Sequence, residues 1–148
     1  MIKLICVGKI KEKFFKAAIE EYSKRLSKYT KLEIIEVNDE CNGDILKKES
    51  VSILKHISDN DYVITLEIDG NKLNSKELSK KINDTLIINS NIVFIIGGSL
   101  GLDESVKKRS NYKLSFSDLT FPHQLFRIIL LEQIYRSFKI INNESYHK

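Results

Sequence analysis

Five polar side chains interrupt an otherwise apolar run near the carboxyl end of this chain: His123, Arg127, Glu132, Gln133 and Arg136. Imidazole titrates near neutrality, so a histidine is the natural side chain for moving a proton there. Guanidinium groups hold phosphates or stabilise an anion. His123 and Arg127 are four apart and share a face near the start of a helix, while the same spacing lets Glu132 and Arg136 pair. The chain closes on Tyr146-His147-Lys148, an aromatic and basic end. Composition alone leaves that end open between a frayed tail and a working segment.

A second chemical feature precedes these residues. The apolar run Ile92 to Ile96 breaks into Gly97, Gly98 and Gly101. Beta-branched and aromatic residues bounded by glycine predict a buried strand. Glycines let backbone approach a ligand closely, or simply make a tight strand-to-helix turn. A short strand over Tyr112 to Phe116 ends in another polar turn, Ser117 to Thr120. Two strand ends with such loops make a cleft at the carboxyl edge of a sheet, where open α/β sheets bind ligands. The dinucleotide fingerprint is excluded, because the pattern is Gly-Gly-x-x-Gly and follows the fourth strand, not the first. No Gly-Lys-Ser/Thr follows a glycine loop, which excludes a Walker A site.

The elements that must position these groups read as alternating strands and helices. Strands are predicted over Ile2 to Val7, Leu32 to Val37, Tyr62 to Ile68, Ile92 to Ile96 and Tyr112 to Phe116. Helices are predicted to Leu26, over 45–57, from Asn74 to Ile88, from Asp103 to Ser110, and from Pro122 to Ile141. In the first helix Phe15, Ala18, Ile19, Tyr22 and Leu26 recur at helical spacing. Asn74 and Glu77 have capping-box spacing, with Leu73 and Leu78 placed to staple. The alternation argues one α/β domain over 1–148, with a mainly parallel sheet of five to six strands and helices on both faces. The last helix is apolar nearly all round, which predicts burial nearly all round. Its second face is expected to meet another subunit in a homodimer, the alternative cover being a helix of the same chain.

Composition is that of a globular protein, with 42% hydrophobic and 30% charged residues in 148. No apolar run reaches the roughly 18 residues of a membrane span. The chain opens directly on a strand, so a cytoplasmic location without a signal peptide is expected. Cys6 and Cys41 form no metal or redox motif, and no metal site is expected. Net charge is +4 but unevenly spread: residues 1–31 carry nine basic against three acidic side chains, and residues 32–69 carry three against ten. A basic amino-terminal region with Lys9 and Lys11 suits either contact with nucleic acid or a solvated helix face.

Several motifs together are far more specific than any one. They are Val7-Gly8-Lys9-Ile10-Lys11-Glu12, Leu66-Glu67-Ile68-Asp69-Gly70-Asn71-Lys72, Ile96-Gly97-Gly98-Ser99-Leu100-Gly101-Leu102, Leu114-Ser115-Phe116-Ser117, Leu119-Thr120-Phe121-Pro122-His123-Gln124, Glu132-Gln133-Ile134-Tyr135-Arg136 and Tyr146-His147-Lys148. By them the whole chain resembles the small ribosomal-RNA methyltransferases of the SPOUT superfamily, the pseudouridine N3-methyltransferase family often called RlmH. The chain departs from that pattern at 38–50, where the loop and second helix look shortened.

The resemblance implies a SPOUT-type α/β fold with a trefoil knot in the carboxyl half, a homodimer, and S-adenosylmethionine held bent among three loops. Carried over by position, Leu66, Gly97 and Phe116, Ser117, Asp118, Leu119, Thr120 and Phe121 line the cofactor. A neutral backbone cleft would suit the cationic sulfonium. The implied reaction methylates N3 of a pseudouridine in 23S ribosomal RNA within the assembled ribosome. His123, Tyr146 and His147 are the candidates for the catalytic proton transfer. Arg127, Arg136, Lys148, Lys9 and Lys11 are the candidates for RNA contact. The competing readings are a ribosome- or RNA-binding protein without catalysis, and a SPOUT methyltransferase acting on transfer RNA.

Overall fold

A computed structural model describes every residue from Met1 to Lys148. Its centre is a five-stranded sheet in which every pairing is parallel. In chain order the strands are β1 (Ile2–Val7), β2 (Leu32–Val37), β3 (Tyr62–Lys72), β4 (Ile92–Ile96) and β5 (Tyr112–Ser115). The helices are α1 (Lys13–Leu26), α2 (Ile45–Leu54), α3 (Ser75–Ile88), α4 (Glu104–Arg109) and α5 (His123–Ile141). The strand order is β2-β1-β4-β3-β5.

The central strands explain the topology. All five residues of β4 are buried, so both faces of the sheet need a cover of helices. Alternation along the strands divides the apolar residues into two cores. Ile2, Leu4, Phe94 and Ile64 face one side and pack with Leu26 of α1, Ile82 of α3 and Leu130, Ile134 and Phe138 of α5. Ile5, Val7, Val93, Ile95 and Val63 face the other side, with Ile53 of α2 and Val106 of α4.

Local signals set most boundaries. Asn74 Oδ1 accepts from the Glu77 amide at 2.8 Å, and Glu77 Oε1 accepts from the Asn74 amide at 2.9 Å. This reciprocal box starts α3 where its spacing predicts. Two elements differ from expectation by more than one residue at an end. Helix α2 stops at Leu54, three residues early. Strand β3 runs on to Lys72, because after an irregularity Asn71 and Lys72 resume pairing with Leu114 and Ser115 of β5. Gly70 permits this passage: a Cβ there would lie 2.8 Å from the backbone of Lys113 and Leu114.

Helix α5 is flanked by α1 and α3, so the same chain supplies part of the cover expected from a second subunit. Its first turns remain partly open, with Leu125 exposed and Ile128 and Ile129 half-buried. Cys6 lies within the core, where burial pushes its thiol up to about 12. It is a small packing residue and not a nucleophile. No helix is long and apolar enough to cross a membrane.

Candidate functional site

The carboxyl ends of β3, β4 and β5 open into a cleft of about 520 Å³. That size suits a small organic ligand. Its walls are three chain segments: Leu66 to Asp69 within β3, the glycine loop after β4, and Leu114 to Phe121 from the end of β5 onward. Leu66, Gly97, Phe116, Ser117, Leu119, Thr120 and Phe121, all expected at a cofactor, line it together. His123 reaches the same cleft from the first residue of α5.

The glycine loop is a tight backbone turn. Gly98 and Gly101 form an isolated bridge, and the Gly101 amide donates to the Gly98 carbonyl at 3.1 Å. A Cβ on Gly97 would sit 2.6 Å from the Gly101 carbonyl oxygen, so only glycine fits. Gly101 itself has φ +82°, a conformation that side chains other than glycine rarely adopt. The third wall is held by aromatic packing. Phe126 of α5 meets Phe116 edge-on at 5.0 Å and Phe121 at 5.7 Å between ring centres. The Ser117 hydroxyl accepts from the Leu119 amide at 3.0 Å and shapes the turn. Asp118 departs from expectation: it is exposed, points to Lys72 at 2.6 Å and is absent from the cleft wall.

The cleft is not the neutral backbone pocket expected. Glu67 and Lys107 both line it, with Glu67 Oε1 and Lys107 Nζ 3.9 Å apart. The Thr65 hydroxyl donates to Glu67 Oε2 at 2.6 Å. Sequence reasoning passed over these groups. Thr65 and Glu67 are two apart in a strand and therefore share a face, which was a usable signal. Lys107 reads as an ordinary basic residue near a helix carboxyl end; only the fold turns it toward Glu67.

Arg127, expected at RNA, is instead buried in an ion pair. Its side chain is 2% exposed and its Nη1 donates to Glu36 Oε2 at 2.6 Å. Its Nη2 donates to the Gly8 carbonyl at 3.2 Å. Glu36 Oε2 also accepts from the Ile10 amide at 2.9 Å. Together they pin the loop after β1 and leave Lys9 and Lys11 exposed on either side of buried Ile10.

The chain end is docked on α5. Tyr146 Oη donates to Glu132 Oε2 at 2.9 Å, and its ring packs edge-on to Tyr135 at 5.1 Å. Burial, with the Glu132 bond second, raises the Tyr146 phenol above its usual value. The hydroxyl is therefore a donor near neutrality and a poor proton acceptor. Arg136 pairs with Glu132 at 3.1 Å and its Nη1 is 3.0 Å from His147 Nδ1. Lys148 is exposed. This cluster sits nine to thirteen residues along α5 from His123, roughly 14–20 Å at a helical rise of about 1.5 Å. One protomer therefore does not bring His123, Tyr146 and His147 to one point.

A doubly covered parallel sheet with a cleft at the carboxyl edge of its strands defines an α/β class that binds ligands there. The family model described as "Predicted SPOUT methyltransferase" matches residues 1–147, and the chain belongs to the SPOUT methyltransferase family. It is 59% identical to the ribosomal RNA large subunit methyltransferase H of Clostridium botulinum (strain Okra / Type B1), with 99% of each chain covered. Solved structures share the fold at lower identity. A probable methylase family protein from Haemophilus influenzae Rd KW20 superimposes with a TM-score of 0.57 at 13% identity, covering 99% of this chain and 70% of that one. The tRNA (m1G37) methyltransferase from Aquifex aeolicus gives 0.53 at 18% identity, covering 91% and 69%. No group of three or more His, Cys, Asp or Glu side chains is arranged to hold a metal ion.

Proposed function

We propose that this protein methylates N3 of a pseudouridine in 23S ribosomal RNA, using S-adenosylmethionine and acting on the assembled ribosome in the cytoplasm. The observation that carries the reading is the three-walled cleft, in which seven of the eight residues expected at the cofactor meet. Full-length likeness to a large-subunit ribosomal RNA methyltransferase supports the substrate.

The residues suit the cofactor. The cleft has room for a nucleoside with an amino-acid arm. Gly97 and Gly101 keep the β4 wall free of side chains. Backbone groups of Ser117 to Thr120 present donors and acceptors for an adenine edge, and Phe116 and Phe121 give it an apolar flank. When bound, the cofactor supplies an electrophilic methyl on a sulfonium. The protein's part is mainly to align and to exclude water. His123, exposed at the cleft mouth, is placed to take the N3 proton of an incoming uracil-type ring. Lys9, Lys11, Arg136 and Lys148 are the basic groups for the RNA backbone.

The same reading makes the protein a homodimer. Leu125, Ile128 and Ile129 remain for a second subunit, and the distance from His123 to the tail favours a site shared between subunits. A knotted carboxyl half belongs to this reading as well. Sedimentation at micromolar concentration should give a particle near twice 17.1 kDa. A clean monomer would remove the shared site.

Mass spectrometry of ribosomal RNA from a deletion strain tests the activity. One methylated pseudouridine should be missing, and purified protein with S-adenosylmethionine should restore it on ribosomes. Intact ribosomal RNA together with a missing methyl group on transfer RNA would overturn the proposal.

A further inference from the structure

Of the charged side chains on the cleft wall, Glu67, Asp69 and Lys107, the first and last pair in an arrangement unusual for a structural ion pair. Glu67 has a mostly buried side chain, 13% exposed, in the middle of β3 and two residues from the buried Thr65. Its Oε2 is fixed by the Thr65 hydroxyl. Thr65 Oγ1 also lies 2.8 Å from Ser110 Oγ, and the Ser110 hydroxyl donates to the Tyr112 carbonyl at 2.9 Å. Oε1 is different. At 3.9 Å from Lys107 Nζ it takes part in no hydrogen bond, although its residue lines the cleft. Lys107 is one-third exposed and makes no other bond to an acidic group. A loose, partly solvated pair of this kind is worth little, so parting it costs little. Both partners retain capacity for a closer, charge-assisted contact.

A ligand carrying an ammonium and a carboxylate on one carbon would satisfy both. We infer that Glu67 and Lys107 form a zwitterion subsite that receives the α-ammonium and α-carboxylate of the cofactor's methionine arm. The inference rests on the proposed use of S-adenosylmethionine. Glu67 is the anchor, because Thr65 holds it before any ligand arrives. Lys107 is the mobile partner, its long side chain turning from Glu67 to the carboxylate. The cofactor's purine and ribose are left to the glycine loop and the Ser117–Phe121 wall.

Calorimetry with two sulfur nucleosides tests this without any methyl transfer. S-adenosylhomocysteine carries the amino-acid head; 5′-methylthioadenosine has the same nucleoside and sulfur but lacks it. Wild-type protein should bind the first about ten-fold tighter or more, the worth of one good charge-assisted contact. Glu67→Gln and Lys107→Met should each erase most of that preference while leaving methylthioadenosine affinity within about two-fold. Retained methylthioadenosine binding also reports that the variant cleft is folded. Unchanged homocysteine-nucleoside affinity in both variants would overturn the subsite, as would an equal loss for both ligands, which would mean that the pair only shapes the wall. A wild-type protein that binds neither nucleoside would instead overturn the cofactor reading itself.

Discussion

Replacing Glu36 with alanine should lower the free energy of unfolding by about 3–5 kcal/mol, the usual result of leaving a buried charge unpaired. The asymmetry of the pair is the reason. Arg127 is 2% exposed and its Nε already lacks a partner, so its guanidinium depends on Glu36 and on the Gly8 carbonyl. Glu36 is one-third exposed and can turn to water when Arg127 is removed. Arg127→Met should therefore be milder than Glu36→Ala, and adding Arg127→Met to Glu36→Ala should recover much of the loss, since methionine fills the space without a charge. Urea unfolding of the three variants measures the cycle. A Glu36→Ala cost under about 1 kcal/mol, or no recovery in the double variant, would show that solvent or another group already compensates Arg127. The pair joins the start of α5 to the loop after β1. Lys9 and Lys11 should consequently become mobile in the Glu36 variant.

Removal of Tyr146 to Lys148 should leave S-adenosylmethionine affinity within about two-fold while lowering methyl transfer to ribosomes about a hundred-fold or more, the scale of a lost proton-transfer or positioning group. The tail lies on Glu132 and Arg136 and touches no part of the cofactor cleft of its own chain. Its loss should therefore spare binding of the small ligand. His123→Ala should give the same division, because His123 stands at the mouth of the cleft. The pH profile separates the two. A histidine acts as a base only when neutral, so the wild-type rate should show an acid limb. That acid limb should vanish in His123→Ala and persist in the tail deletion. Tyr146 is not expected to be the base, since its phenol is raised and it already donates to Glu132. Wild-type transfer by both variants would leave proton removal to solvent or to the RNA.

At Gly97 the structure shows a cause for glycine that needs no ligand. Sequence alone allowed either a close approach to ligand or a tight turn at this position. The backbone of Gly101 occupies the space a side chain would need, at 2.6 Å. A substitution at Gly97 would thus act on the turn first and on the ligand through it.

The order of elements, the parallel sheet and the location of the cleft were determined by the sequence itself. Periodicity marks which residues must be covered on one side or both, and glycine marks where backbone turns sharply. These are short-range properties, so β1, β2, β4 and α3 appear where their residues predict. Long-range pairing carried no such signal. Arg127 meets Glu36 across 91 positions, Lys107 meets Glu67 across 40, and Tyr146 folds back onto Glu132. A charged residue on a helix reads the same whether it faces solvent, RNA or a buried carboxylate. Tertiary structure decided among these, by placing the start of α5 under the β1 loop, α4 beside the end of β3, and the tail on α5. It moved Arg127 from the RNA contacts to the frame, moved Asp118 out of the cleft to Lys72, and brought Glu67 and Lys107 into it.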